Sequence, residues 1–307
     1  MVMIDNLEQI KANTLKARDL MRRSREQHFS VGAFNVDSLS SLTAIARVAK
    51  RLNSPVIIEV SKSEIDYIGR KNIRDLVDNC KTEYGVEMYI NLDHGPSVEE
   101  AKLAIEAGFE FIHIDISQAD HNAPMEEIIN KTKEVVEYAR LTGALVEGEP
   151  HYFGGSSNVF NENIDYDEVR KTFTKPEEAK DFIEQTGIDT FAAAIGNLHG
   201  KYNGPKQLDI DLLSRIRQTI DPSVNISLHG GSGTPLRYFI EAASVGVSKV
   251  NINTDLRYAY RTMLDKVLAD NPHEYAVFKL MPAVNKAIES VVEDKIKSFG
   301  SEGKAVL

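Results

Sequence analysis

The 307-residue chain is 42% hydrophobic and 27% charged, with a formal net charge of -10 and one cysteine, Cys80. That acidic balance, with no basic stripe interleaved with aromatic residues, excludes non-specific nucleic-acid binding. No apolar run approaches the 18 residues a membrane span needs, a lone cysteine cannot form an internal disulfide, and the N-terminal stretch is charged where a secretory leader would be apolar. A cytoplasmic protein with a small-molecule ligand is expected, with no nucleic-acid or membrane partner.

In chain order, a helix over about 5–27 comes first and is expected to close one end of the fold. Short β-rich runs then recur at 31–36, 55–61, 88–94, 111–117, 145–150, 190–196, 225–230 and 249–255, each separated by helical periodicity. Helix punctuation supports the alternation. Ser97 can cap SVEEAKLAIEAGF with Glu100 completing a capping box, and KPEEAKDFIEQTG has proline in its first turn and glycine at its end. A last helix is expected over about 282–299. Eight strand and helix pairs predict an α/β fold, a (β/α)8 TIM barrel, forming a single domain over 1–307 with extra terminal helices.

Residues two apart on a strand share a face, so polar side chains in a barrel interior need a reason. Asn91 and Asp93, with His94 at the tip, fall near the end of the third run; His113, Asp115 and Ser117 on the fourth; Glu147 and Glu149 on the fifth. His94, His199 and His229 each end a strand or lie just past one, and each is followed by glycine. Three imidazoles with an open position make a catalytic zinc site. HGGSGT (229–234), running into a helix, and NINTD (251–255) add backbone N–H groups and the hydroxyls of Ser232 and Thr254, the place where barrel enzymes hold phosphate.

Taken together, GAFNV, EVS, LDHG, HIDIS, VEGE, AIGNLHG, LHGGSG and VNINTDLR resemble, nearly end to end, the class II metal-dependent ketose-bisphosphate aldolases of the fructose- and tagatose-bisphosphate type. The resemblance implies a carbon–carbon lyase of carbohydrate metabolism, in which His94, His199 and His229 bind one zinc ion while Asp115 and Glu149 form an alternative position beside it. It implies that Asp93 handles the proton of the hydroxyl at the cleaved bond. It also implies that Gly200, Gly231, Ser232, Asn253 and Thr254 hold the phosphate of dihydroxyacetone phosphate, and that Asn35, Ser61 and Asn251 lie along the substrate. A monovalent cation on backbone oxygens at Gly200 and Lys201, and a homodimer or higher homo-oligomer, are further implications.

Two stretches depart from that pattern. The family's loop after the fifth strand reads E-L-G-x-x-G-G-x-E-D, and its second glutamate removes the donor's C–H proton; here the loop reads EPHYFGGSSN, with Ser157 in that place. His151 and Glu162 are the candidate replacements, the first because an imidazole titrates near neutrality. Before the last helix, D-P-R-K-Y-L-x-P-A becomes YAVFKLMPA, so Val277 replaces the arginine that in the family reaches a neighbouring subunit's site to clamp the distal phosphate, and Lys279 is the nearest cation. SKSE after the second strand puts Lys62 or Glu64 toward the acceptor. The expected activity is therefore an aldolase with dihydroxyacetone phosphate or a close analogue as donor and an aldehyde acceptor that need not be phosphorylated. A non-catalytic sugar-phosphate-binding or accessory subunit of the same fold is the alternative.

Overall fold

Eight strands pair in parallel and in chain order, and the last closes on the first: β1 (Val31–Asn35), β2 (Val56–Ser61), β3 (Met88–Gly95), β4 (Phe111–Ile114), β5 (Leu145–Gly148), β6 (Thr190–Ala192), β7 (Asn225–Leu228) and β8 (Val247–Ile252). The computed structural model describes residues 4, 6–150 and 156–306. Every crossover carries a helix, as a parallel sheet with both edges joined requires. Helices Leu7–Gln27, Thr254–Asp270 and Val277–Phe299 flank or follow the barrel. Among the described residues no helix is long and apolar enough to cross a membrane.

The register sorts the interior into layers. Ala33 pairs with Ile57, Ile57 with Tyr89 and Phe111 with Leu145, and these side chains form a buried cluster with Ala17, Leu20 and Met21 of the N-terminal helix. That helix therefore seals the N-terminal end of the barrel, each fully buried Leu or Met contributing about 1.5–3 kcal/mol. Two residues further along each strand the interior turns polar. Asn35 pairs with Glu59, Glu59 with Asn91, and His113 with Glu147, all buried.

The strand ends depart from expectation at the face that carries function. β4 stops at Ile114, and Asp115 becomes the N-cap of a four-residue helix, accepting a hydrogen bond from the Gln118 amide. β5 stops before Glu149. β6 ends at Ala192 because the next backbone groups are taken by loops: Thr174 donates to the Ala194 carbonyl and Asp209 to that of Ile195. β8 starts two residues early and gives way to a helix at Thr254. The last helix starts at Val277 instead of near 282. Ser97 caps its helix as expected, but Glu100 turns to Arg70 (2.6 Å) instead of completing the box; the reciprocal box forms at Ser61 and Glu64.

Candidate active site

A β-bulge aims the first histidine. Leu92 pairs with Ile112 and Gly95 with Ile114, so β3 carries one residue more than its neighbour across that step. His94 takes a left-handed backbone conformation there, with φ 47°, at a cost of about 1–2 kcal/mol. The extra residue breaks the alternation that would send consecutive side chains to opposite faces, and both Asp93 and His94 line the cavity.

Three ring nitrogens meet there. His94 Nε2 lies 3.2 Å from His199 Nε2 and 3.1 Å from His229 Nδ1. The carboxylates behind them fix which nitrogens carry hydrogens. Burial resists ionisation of Asp115, but its bond to His94 and the charges nearby hold its pKa well down, so it is the acceptor and His94 Nδ1 donates (2.6 Å). Burial likewise opposes the charge on Glu147, but Lys249 outweighs it, and His229 Nε2 donates to Glu147 at 2.6 Å. The opposite nitrogens, His94 Nε2 and His229 Nδ1, face each other across the cavity. Imidazole nitrogens that close repel unless a proton or a metal ion lies between them, and nitrogens sharing one tetrahedral ion at about 2.0 Å stand roughly 3.3 Å apart. Burial lowers the pKa of His199 to about 3, keeping it a neutral donor of electrons. At His94 burial also disfavours charge, yet Asp93 and Asp115 outweigh it and raise the pKa to about 10. The pocket therefore favours a positive charge at its centre, and this donor set fits a divalent ion.

Glu149 is buried with neither carboxylate oxygen hydrogen-bonded, and burial together with Asp115 raises its pKa well above normal. His94, His113, Asp115 and Glu149 each offer an atom to one small space, all within 4.8 Å. Within that group Asp115 is already engaged, with His94 on one oxygen and Ser117 and Gln118 on the other. His113 Nδ1 accepts from the His94 backbone amide (3.3 Å), and burial keeps the ring neutral. Its Nε2 lies 3.6 Å from Glu149 and has no hydrogen-bond partner among the described residues, so it stands with the Glu149 carboxylate as a potential ligand of that second position.

Below the triad, Lys249 Nζ reaches Glu147 (2.7 Å) and Glu59 (3.1 Å), and burial raises the Glu59 pKa to about 8. Ser227 also donates to Glu147 (2.6 Å). Replacing Glu147 with glutamine, which offers the wrong partner to both Lys249 and His229, is expected to weaken metal affinity about 10–100-fold. A competitive chelator titration reads this directly, and unchanged affinity would show that Glu147 does not set the His229 tautomer.

The cavity encloses about 490 Å³. Asn35 donates to Asp93 (2.9 Å), and Asn251 does so from the other side (3.2 Å). Burial alone would raise the Asp93 pKa, but the charge at His94 and the Asn35 hydrogen bond take it to about 2. At the other end, Gly200, Ser232, Asn253 and Thr254 line the cavity where the helix Thr254–Asp270 begins, an N-terminus that attracts anions. Asn251 and Asn253 both hold an unpartnered buried carbonyl oxygen. Ser61 lines the cavity near Lys62, Ser63 and Arg257.

Several expected residues are elsewhere. The Gly231 N–H is spent on the Asn251 carbonyl (3.1 Å), and Gly230 lines the cavity in its place. The Lys201 carbonyl accepts one hydrogen bond, from the Phe160 amide (2.7 Å). Glu64 is bound to Ser61, Asn35 and Arg257 and does not face an acceptor. Val277 is exposed and Lys279 pairs with Glu274 (2.9 Å) on the outer surface, where a neighbouring subunit would meet them. Ser157 does line the cavity, whereas Glu162 is exposed outside it, and His151 lies outside the described residues. Glu59 and Lys249 were legible by the same two-residue alternation as Ser61 and Asn251; Arg257 and Lys206 carried no comparable signal.

Comparison with known proteins bears on this geometry. The family described as "Fructose-bisphosphate aldolase class-II" matches residues 15–304. The chain is 34% identical to a fructose-bisphosphate aldolase of Geobacillus stearothermophilus, covering 94% of this chain and 97% of that one. It is also 34% identical to a 6-phospho-5-dehydro-2-deoxy-D-gluconate aldolase of Bacillus licheniformis, over 94% and 96%. The crystal structure of the YdjI aldolase from Escherichia coli K12 superposes with a TM-score of 0.76 at 27% identity, over 94% and 98%.

Proposed function

Because this chain belongs to the class II fructose-bisphosphate aldolase family and is an aldolase, a carbon–carbon lyase, we propose that it cleaves and forms a ketose phosphate with dihydroxyacetone phosphate or a close analogue as donor. The observation that carries this reading is that His94 Nε2 lies within 3.2 Å of a ring nitrogen of both His199 and His229, beside an ionised Asp93, in a cavity that ends at a helix N-terminus. His94, His199 and His229 would hold the ion, zinc in this reading, with Glu149 and Asp115 beside them as the alternative position. When bound, it supplies Lewis-acid stabilisation of the negative charge that develops on the donor's oxygens.

The rest is done by the chain. Asp93, held between Asn35 and Asn251, takes the hydroxyl proton as the C–C bond breaks and returns it in condensation. A carboxylate of low pKa suffices, because that hydroxyl becomes strongly acidic as its oxygen turns into a carbonyl. Gly200, Ser232, Asn253 and Thr254 hold the donor phosphate, with Asn35, Ser61 and Asn251 along the carbon chain. His151 or Glu162 removes the donor's C–H proton in place of a carboxylate at Ser157.

The acceptor is the open end. Two relatives of equal identity are named for a bisphosphate and for a phosphorylated deoxygluconate, so likeness does not choose between a second phosphate and another polar group. Lys62 and Arg257 line the cavity at its Ser61 side, but they are already paired with Asp66 (2.6 Å) and Glu64 (2.7 Å), which supports an acceptor that need not carry a phosphate. A single cytoplasmic domain working as a homodimer or larger homo-oligomer completes the reading, supported by the exposed apolar Tyr275, Val277 and Phe278.

Zinc-loaded protein incubated with dihydroxyacetone phosphate in D2O should exchange a hydroxymethyl proton for deuterium, followed by NMR, and chelator-treated protein should not. Loaded protein that leaves the donor unlabelled would overturn the donor assignment.

A further inference from the structure

Lys206 sits in the loop between β6 and the helix Ile210–Thr219, and its side chain is almost completely buried. Its Nζ donates to the backbone carbonyls of Leu198 (2.5 Å), Gly230 (2.7 Å) and Ser232 (2.5 Å). Leu198 precedes one candidate metal ligand, Gly230 follows another, and Ser232 lines the candidate phosphate end. Three carbonyl oxygens turned toward one buried point repel one another, and hard oxygens so arranged are a site for a cation.

We infer that Lys206 is a built-in substitute for a monovalent cation: its ammonium fills a carbonyl cradle between the loops after β6 and β7, and the protein has no need of potassium or sodium there. The count of hydrogens supports this, since three acceptors require three donors and only the charged ammonium has them. Burial draws the pKa of Lys206 down to about 7, while Asp255 favours its charge from a distance and itself pairs with Lys295 at 3.0 Å. The charge is thus met by peptide dipoles, in contrast to Lys249, which is met by carboxylates. The loops could not close on the cradle without glycine at 230, whose φ is +63° and where a Cβ would come 2.2 Å from the Leu198 carbonyl. Lys206 is therefore a positioning residue, acting on the metal and phosphate ends through the backbone.

The test compares wild type, Lys206→Ala and Lys206→Gln in potassium, sodium or tetramethylammonium chloride at one ionic strength. Thermal midpoints and calorimetric binding of inorganic phosphate are the readouts. Wild type should show the same midpoint and phosphate affinity in all three salts. Lys206→Ala should be destabilised and bind phosphate more weakly in tetramethylammonium, then recover saturably as potassium or sodium is titrated in, as ligand binding to the native state requires. Lys206→Gln keeps two donors and should respond in the same direction but less. Saturable stabilisation of wild type by potassium, or variants that fold no better in potassium than in tetramethylammonium, would overturn the inference. The midpoint involves no turnover, so this outcome is separable from that of the aldolase reading.

Discussion

Alanine in place of His94 is expected to release the metal and lower aldol turnover by about 10³-fold or more, the equivalent of several kcal/mol of charge stabilisation, with the barrel intact. His94 Nε2 is the nitrogen within 3.2 Å of both other imidazoles, so its removal leaves two ring nitrogens with no third to share a tetrahedral ion. It also strips Asp115 of its ring donor and leaves the unpaired Glu149 beside a void. The fold should survive, because alanine inherits a backbone strain that histidine already bears at φ 47° and the apolar layer lies at the other end of the barrel. Metal analysis of the purified variant, beside its circular dichroism spectrum, gives the result. A variant that keeps a full equivalent of tightly held metal and most of its turnover would remove His94 from the site.

Asparagine in place of Asp93 should act differently, lowering kcat by about 10²–10⁴ while metal content and KM change little. The variant loses the acceptor for the hydroxyl proton. It also sets an amide N–H₂ against one of the two asparagines that now donate to the carboxylate, a mismatch costing about 1–3 kcal/mol. Since the folded pKa of about 2 lies below the ordinary 3.8, the stability this carboxylate contributes is present above that ordinary value and is lost only as pH falls toward the folded one. In the pH range where the protein is assayed Asp93 is always ionised, so it should contribute no acidic limb to kcat/KM. Parallel loss of metal and activity in Asp93→Asn would instead make it a group that orients His94.

What the sequence revealed of this site follows from periodicity. Strand alternation placed Asn91, Asp93, His113, Glu147 and Glu149 inward, and the structure buries all five. It overshot at the C-terminal ends, since a run such as TFAAAIG looks extended whether its amides join the ladder or, as at Ala194 and Ile195, meet a loop. Alternation also could not say which inward groups are ligands and which are hydrogen-bond partners. That depends on tautomers, which His94 and His229 take from Asp115 and Glu147 through contacts between different strands. Lys206 was invisible for a related reason: its partners are carbonyl oxygens, which every residue has, and only the folded loops bring three of them together.

The extra residue in β3 also separates what is adjustable from what is not. His199 and His229 come from different loops, and their positions relative to His94 depend on how those loops pack. Asp93 and His94 are neighbours along one chain, so their spacing is set by covalent geometry and one peptide plane. Loop motion, a change of ion radius or a remodelled acceptor pocket can alter the grip on the metal or the reach to the aldehyde. The backbone separation of the proton acceptor from the first metal ligand stays fixed, and a one-residue deletion there would restore strict alternation and turn one of the pair out of the barrel.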